Sequence, residues 1–259
     1  MYHVPSLPAN TAIFRRRHPH RRKRFFIVRC MTAFFDGEFP MNIFDIIGPI
    51  MIGPSSSHTA GAARIGKTSA TILADTPMQA DIGLTGSFAQ TCKGHGTDKA
   101  LIGGILGFCP DDERIRNSME IAGKQGLSFT FKNIHLPKAH PNTAVIHLAG
   151  KEGKECSIQG ASVGGGAILI SKVNGLDTFF TGEHETIIIP HRDEPGTIAA
   201  VTALVADSGI NIGNFRLHRP GKGDEAMMTM EVDGAVKPDV VEKLCRLKHV
   251  VGVVHLAAL

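Results

Sequence analysis

The sequence lacks any apolar run long enough to span a membrane, any cysteines spaced as metal ligands, and any acidic residue in positions 1–30. Each absence narrows the reading. A membrane helix needs about 20 consecutive apolar residues, and Phe25-Phe26-Ile27-Val28 falls far short. A secretory leader needs a longer apolar core and a small-residue cleavage site. Cys30, Cys92, Cys109, Cys156 and Cys245 show no CxxC spacing, and their number is odd. That pattern argues against a disulfide scaffold and fits a reducing cytoplasm. It also gives no metal-ligand set for a zinc or iron–sulfur centre on this chain alone.

The missing acids at the start explain the net charge of +4. Positions 1–30 hold seven Arg and one Lys, whereas residues 31–259 carry 20 basic and 24 acidic side chains. A nucleic-acid-binding reading does not survive that division. Residues 1–40 read as a basic, disordered extension, or as translated upstream sequence ahead of a start at Met31 or Met41. At 42% hydrophobic, the remainder has the composition of a soluble globular protein with no membrane partner.

Against this background the densest feature is Gly53-Pro54-Ser55-Ser56-Ser57-His58-Thr59, placed before the alanine-rich run from Ala60. The first N–H groups of a helix are unpaired, and Ser or Thr caps them. Those donors and the helix dipole also attract a carboxylate. One hydroxyl suffices for capping, so three hydroxyls plus an imidazole suggest a small anionic substrate held beside His58. An over-provided cap with a surface histidine is the plainer alternative. Further polar clusters fall at predicted element ends: Gly86-Ser87-Phe88-Ala89 with Lys93-Gly94-His95-Gly96-Thr97-Asp98 before a helix at 99–104, His140-Pro141-Asn142-Thr143 before a strand, and Ser162-Val163-Gly164-Gly165-Gly166 before another strand at 167–170. Each alone reads as a turn or bulge. Together they predict a polar pocket for a small zwitterion or acid.

Two motif matches are rejected. Gly61 to Thr68 fits the P-loop pattern, but the segment reads as helix interior, with its N–H groups spent on helical bonds. Gly94-His95-Gly96 lacks the third glycine of a dinucleotide fingerprint, since Lys99 stands in its place.

Residues 41–184 and 186–259 read as two domains. In the second, strands are predicted at 186–189, opening at 210–212, at 226–232 and at 250–254, with helices at 197–207 and 240–247. The order βαββαβ is a ferredoxin-like split βαβ. This module resembles an ACT domain, on His191-Arg192-Asp193-Glu194-Pro195-Gly196 and Gly209-Ile210-Asn211-Ile212. The resemblance implies an amino-acid effector site formed near a subunit interface by His191, Asp193, Pro195, Gly196, Thr197, Asn211 and Ile212, and homo-oligomerisation through this domain. Many such domains serve only for dimerisation.

From Phe44-Asp45-Ile46-Ile47-Gly48-Pro49 through the serine–histidine motif, the two later clusters and the terminal module, residues 42–259 resemble the β subunits of bacterial iron–sulfur-dependent L-serine dehydratases. The fold implied is α/β (α+β), the first domain resembling the regulatory substrate-binding domain of some phosphoglycerate dehydrogenases. The resemblance implies a partner α subunit carrying a [4Fe–4S] cluster, whose open iron helps the hydroxyl of L-serine leave. In this half His58 is the expected base or proton carrier, or a group that only orients substrate. Ser55, Ser56, Ser57, Thr59, Ser87, Lys93, His95, Thr97, Asp98, Asn142 and Thr143 are the expected substrate contacts. The alternative is a non-catalytic amino-acid-sensing module docked on a partner enzyme, with the same residues forming an effector site or interface.

Overall fold

The computed structural model describes residues 50–259. The expectations for residues 1–40, and the motif Phe44 to Pro49, lie outside the described residues. Two sheets organise the rest. The first contains β1 (Pro77–Leu84), β2 (Ser128–Asn133), β3 (Thr143–Gly150), β4 (Glu155–Gly164), β5 (Ala167–Val173) and β6 (Leu176–Phe180), in the order β2-β1-β3-β4-β5-β6. β1 and β2 are parallel; the remaining pairs are antiparallel. Parallel neighbours need a long crossover, and here it carries helices α2 (Gly86–Thr91), α3 (Thr97–Ile105) and α4 (Ser118–Lys124). Helix α1 (Ala62–Leu73) precedes β1.

Alternation sets the faces. Ala80, Ile82 and Leu84 of β1, Ala144, Ile146 and Leu148 of β3, and Ile158 of β4 are buried in one core with α1 and α3. Asp81, His147 and Ser157 register side by side on the opposite face. The two helices touch backbone to backbone. A Cβ on Gly104 would stand 2.0 Å from the Ala63 carbonyl oxygen, and one on Gly66 would stand 2.3 Å from that of Leu101.

The second sheet contains β7 (Glu185–Arg192), β8 (Asn211–His218), β9 (Glu225–Asp233) and β10 (Val254–Leu256), in the order β10-β7-β9-β8, with every pair antiparallel. Helices α5 (Thr197–Asp207) and α6 (Pro238–Cys245) complete the βαββαβ order. Pro at the first position of α6 suits a site where the N–H is unpaired anyway. Met228, Met230 and Val232 pack toward Val201, Val205 and Leu244. The alternate residues of β9 face the first domain: Thr229 Oγ1 lies 2.7 Å from Thr178 Oγ1, and Glu231 Oε1 accepts from Thr181 N at 3.2 Å. Ile188, Met227 and Leu256 belong to the first domain's core.

Two local expectations are corrected. The last strand falls at 254–256, not 250–254, because Pro190 of β7 lacks an N–H. Its carbonyl instead accepts Val251 N at 2.9 Å and Gly252 N at 3.4 Å, and Val250 only bridges to His191. Helix α3 begins at Thr97 rather than 99, and the segment from Gly86 opens a short helix of its own. The segment Ser162–Gly166 precedes a strand as expected, β5 from Ala167, with Ser162 still on β4 and Gly164, Gly165 and Gly166, all at positive φ, making the hairpin turn.

Candidate active site

The serine–histidine segment is the expected helix entry, and it leads into α1 through a π-helical turn, Ser56–Gly61. Single π turns mark functional positions in many helices. Ser55 is extended and caps the turn: its Oγ accepts His58 N at 3.3 Å, while its carbonyl accepts Thr59 N at 2.8 Å. Gly61, one turn on, lies against β4, where a Cβ would stand 2.0 Å from Ser162 Oγ.

The turn drives His58 inward, to 7% exposure. Its Nδ1 lies 3.1 Å from Ser55 Oγ and its Nε2 lies 3.1 Å from Ser87 Oγ. Phe88 and His95 meet the ring edge-on, at centroid distances of 5.3 and 4.8 Å. Burial, and next the charge of His95, hold the His58 pKa below the ordinary histidine value, while the contact with Ser87 opposes them. Both effects favour the neutral imidazole, which is the form a base requires.

Ser87 is placed by the loop of the third cluster. Gly86 has φ +54° and packs on Pro141, whose carbonyl oxygen a Cβ would meet at 2.6 Å. That carbonyl accepts Phe88 N at 3.3 Å, and Thr85 N donates to the Thr143 carbonyl at 3.2 Å. Asn142 in turn joins β4: its carbonyl accepts Ser162 N at 3.0 Å. Four buried polar atoms have no partner among the described residues in this region, Thr59 Oγ1, Thr97 Oγ1, Asn142 Oδ1 and Ser162 Oγ. Buried polar atoms are nearly always paired, so these four ask for a ligand, water or another chain.

Not every expected contact joins this group. Lys93 is exposed and lines a separate cavity of about 350 Å³ with Leu84, Phe131 and Asn133. Asp98 accepts Lys99 N at 2.8 Å, and the Thr143 hydroxyl donates to the His140 carbonyl at 2.7 Å, so both are engaged locally. Ser56 and Ser57 are half-buried within the turn. Ser162, which sequence reasoning placed in a motif without a role, lies against Gly61.

The expected effector residues are split within one chain. The register sets Asn211 opposite Asp233, at the Glu185 end of the second sheet. Asp193 follows Arg192, which pairs with Glu225 at the other end. The 11-residue helix α5, roughly 16 Å long at 1.5 Å per residue, separates them. Each also has a partner of its own. Asp193 Oδ2 accepts Arg219 Nε at 2.6 Å and Gly223 N at 3.1 Å, contacts that hold its carboxyl below the usual range. Asn211 Nδ2 donates to Asp233 Oδ2 at 2.6 Å. His191 is buried with Nδ1 3.2 Å from the Ile189 carbonyl, Pro195 and Gly196 (φ +90°) form the exposed turn, Thr197 is buried, and Ile212 is half-buried on β8.

Fold and site together define a mixed α/β protein in which the first sheet and its helices surround a buried histidine held between two hydroxyls, with a four-stranded βαββαβ module packed against it. Residues 42–172 match the family described as serine dehydratase beta chain, and residues 186–249 match the ACT domain. The chain is 42% identical to the probable L-serine dehydratase beta chain of Bacillus subtilis, covering 83% of this chain and 98% of that one. It is also 42% identical to the L-serine dehydratase beta chain of Peptoniphilus asaccharolyticus, covering 73% of this chain and 86% of that one. A D-3-phosphoglycerate dehydrogenase of Methanocaldococcus jannaschii is 33% identical over 44% of this chain and 22% of its own. The chain belongs to the serine dehydratase beta-chain family and carries an ACT domain.

Proposed function

We propose that this chain is the beta subunit of a two-chain L-serine dehydratase, which converts L-serine to pyruvate and ammonia in the cytoplasm. The observation that carries the reading is His58, buried and held by hydroxyls at both nitrogens. In the proposed role it removes the Cα proton of L-serine. Thr59, Thr97, Asn142 and Ser162 supply unpartnered groups for the substrate or for the partner chain. The alpha partner is proposed to carry the [4Fe–4S] cluster. This chain's described residues do not fit one: Cys92, Cys109, Cys156 and Cys245 range from buried to exposed, and no three His, Cys, Asp or Glu side chains gather as ligands. Among the described residues no helix is long and apolar enough to cross a membrane.

The ACT domain is proposed to sense an amino acid and to join two copies. Because Asp193 and Asn211 lie at opposite ends of α5, one effector site using both needs two chains.

A second reading, a sensing module without catalytic groups, draws on the likeness to phosphoglycerate dehydrogenase. One experiment separates them. Anaerobic deamination of L-serine is followed with this chain alone, with its alpha partner, and with His58→Asn in the assembled pair. Activity only in the pair, lost by at least about 100-fold in His58→Asn while assembly persists, supports the enzyme reading. Full activity in His58→Asn supports the sensing module.

A further inference from the structure

We infer that Ser87 is a catalytic residue, the hydroxyl that takes the substrate proton and passes its own to His58. The inference rests on the proposed reading of His58 as the base. An imidazole accepts a proton only along the in-plane lone pair of a nitrogen. Both nitrogens of His58 already face hydroxyls at 3.1 Å, and Phe88 and His95 stand against the ring. At 7% exposure the ring offers a substrate carbon no direct approach to either nitrogen. A proton must therefore reach it through one of the two hydroxyls.

The two hydroxyls are not equivalent. Ser55 Oγ is committed to its own turn, since it also accepts the His58 backbone N–H at 3.3 Å. With the imidazole hydrogen on Nδ1, Ser55 Oγ accepts both N–H groups through its two lone pairs, and Nε2 is left to accept from Ser87. Ser87 is half-buried where His58 is buried, so it is the outer member of the pair. Its backbone is fixed on both sides. Gly86 is wedged on Pro141, and the Ser87 carbonyl accepts Thr91 Oγ1 at 2.8 Å.

The step balances without a further reagent. The Cα–H bond of L-serine breaks, and its proton goes to Ser87 Oγ as the Ser87 proton moves to His58 Nε2. The released electron pair forms the Cα=Cβ bond, and the Cβ–O bond breaks. The proton held by the imidazolium returns through Ser87 to the departing oxygen, which leaves as water. The site ends unchanged.

The test compares Ser87→Ala, Ser87→Thr and His58→Asn in the assembled two-chain enzyme, with L-serine carrying hydrogen or deuterium at Cα. Ser87→Ala is expected to lower kcat by about 100-fold, within the usual range for positioned acid–base groups. KM should stay within a few-fold, the deuterium effect on kcat should rise as proton transfer becomes limiting, and Ser87→Thr should recover most of the rate. A Ser87→Ala enzyme with undiminished kcat, or one that changes only KM with no change in isotope effect, overturns the relay. If that result accompanies an inactive His58→Asn, His58 remains the base and Ser87 alone is dismissed. An active His58→Asn removes both readings. Should Ser87→Ala fail to assemble with the alpha chain, Ser87→Gly is read by the same isotope effect.

Discussion

Two helices cover one face of each sheet, and they are packed by opposite means. Between α1 and α3 there is no side-chain layer at the crossing, because Gly66 and Gly104 let the backbones meet. Between α5 and α6 there is a groove of about 480 Å³, lined by Ala200, Ala203, Leu204, Lys237, Val240 and Lys243. Helix α5 is apolar on its outer side too, with Ile198 at 38% exposure. The contrast separates two jobs. A site that holds an imidazole between two hydroxyls needs elements that cannot slide, whereas the open groove between α5 and α6 leaves that pair room to repack.

The comparison breaks most sharply at Gly104. Replacing a helical glycine by alanine ordinarily stabilises by up to about 1 kcal/mol. Here the Cβ meets a backbone carbonyl at 2.0 Å, which cannot yield without moving α1. Gly104→Ala should cost about 3 kcal/mol in urea-induced unfolding, the upper end of overpacking. The matching change on α5, Ala203→Val, lies on an exposed face and should stay within about 0.5 kcal/mol.

Gly61→Ala is the next largest. Its Cβ meets a side chain rather than backbone, the Ser162 hydroxyl at 2.0 Å, so a loss of about 2 kcal/mol is expected. Ser162→Gly in the same chain should restore most of it, measured as a double-mutant cycle. Failure of that rescue would mean that the π turn is held by other contacts.

The pH dependence sharpens the contrast through His58. Its folded pKa is depressed, so the unfolded chain binds the proton more readily. The stability it contributes is present above the ordinary histidine pKa of about 6.5 and falls as pH drops below that, until the folded pKa is passed. His58→Asn should flatten this part of the stability profile. The acid limb of wild-type turnover should likewise lie below pH 6.5. The smallest effect is chemical: Cys156, buried and pushed up to about 12, should resist alkylation at neutral pH until unfolding. The exposed Cys109 and Cys245 should label in the folded protein, as peptide mass analysis would show.

Local chemistry was legible in the sequence wherever it was decided locally. The β-branched run from Thr186, the helix from Thr197 and the Pro238 start all follow from nearest-neighbour preferences, and the split βαβ order follows from them. The turn of serines before α1 was legible as a helix entry, but its π geometry was not, because it depends on Gly61 meeting β4. Lys93 stands two residues from His95 yet opens into another cavity, a matter of where α2 ends. The pairing of Asn211 with Asp233, and the shift of β10 past Pro190, depend on strand register. Periodicity carries no record of that.

Leu256 of β10 is buried in the core that α1 begins, and lines a cavity with Lys67, Thr68 and Thr71 of that helix. Helix α1 and strand β10 stand at opposite ends of the described chain, so their contact has a very high contact order. The core around α1 is complete only with residues of the second sheet, so the whole described chain should melt in one cooperative transition.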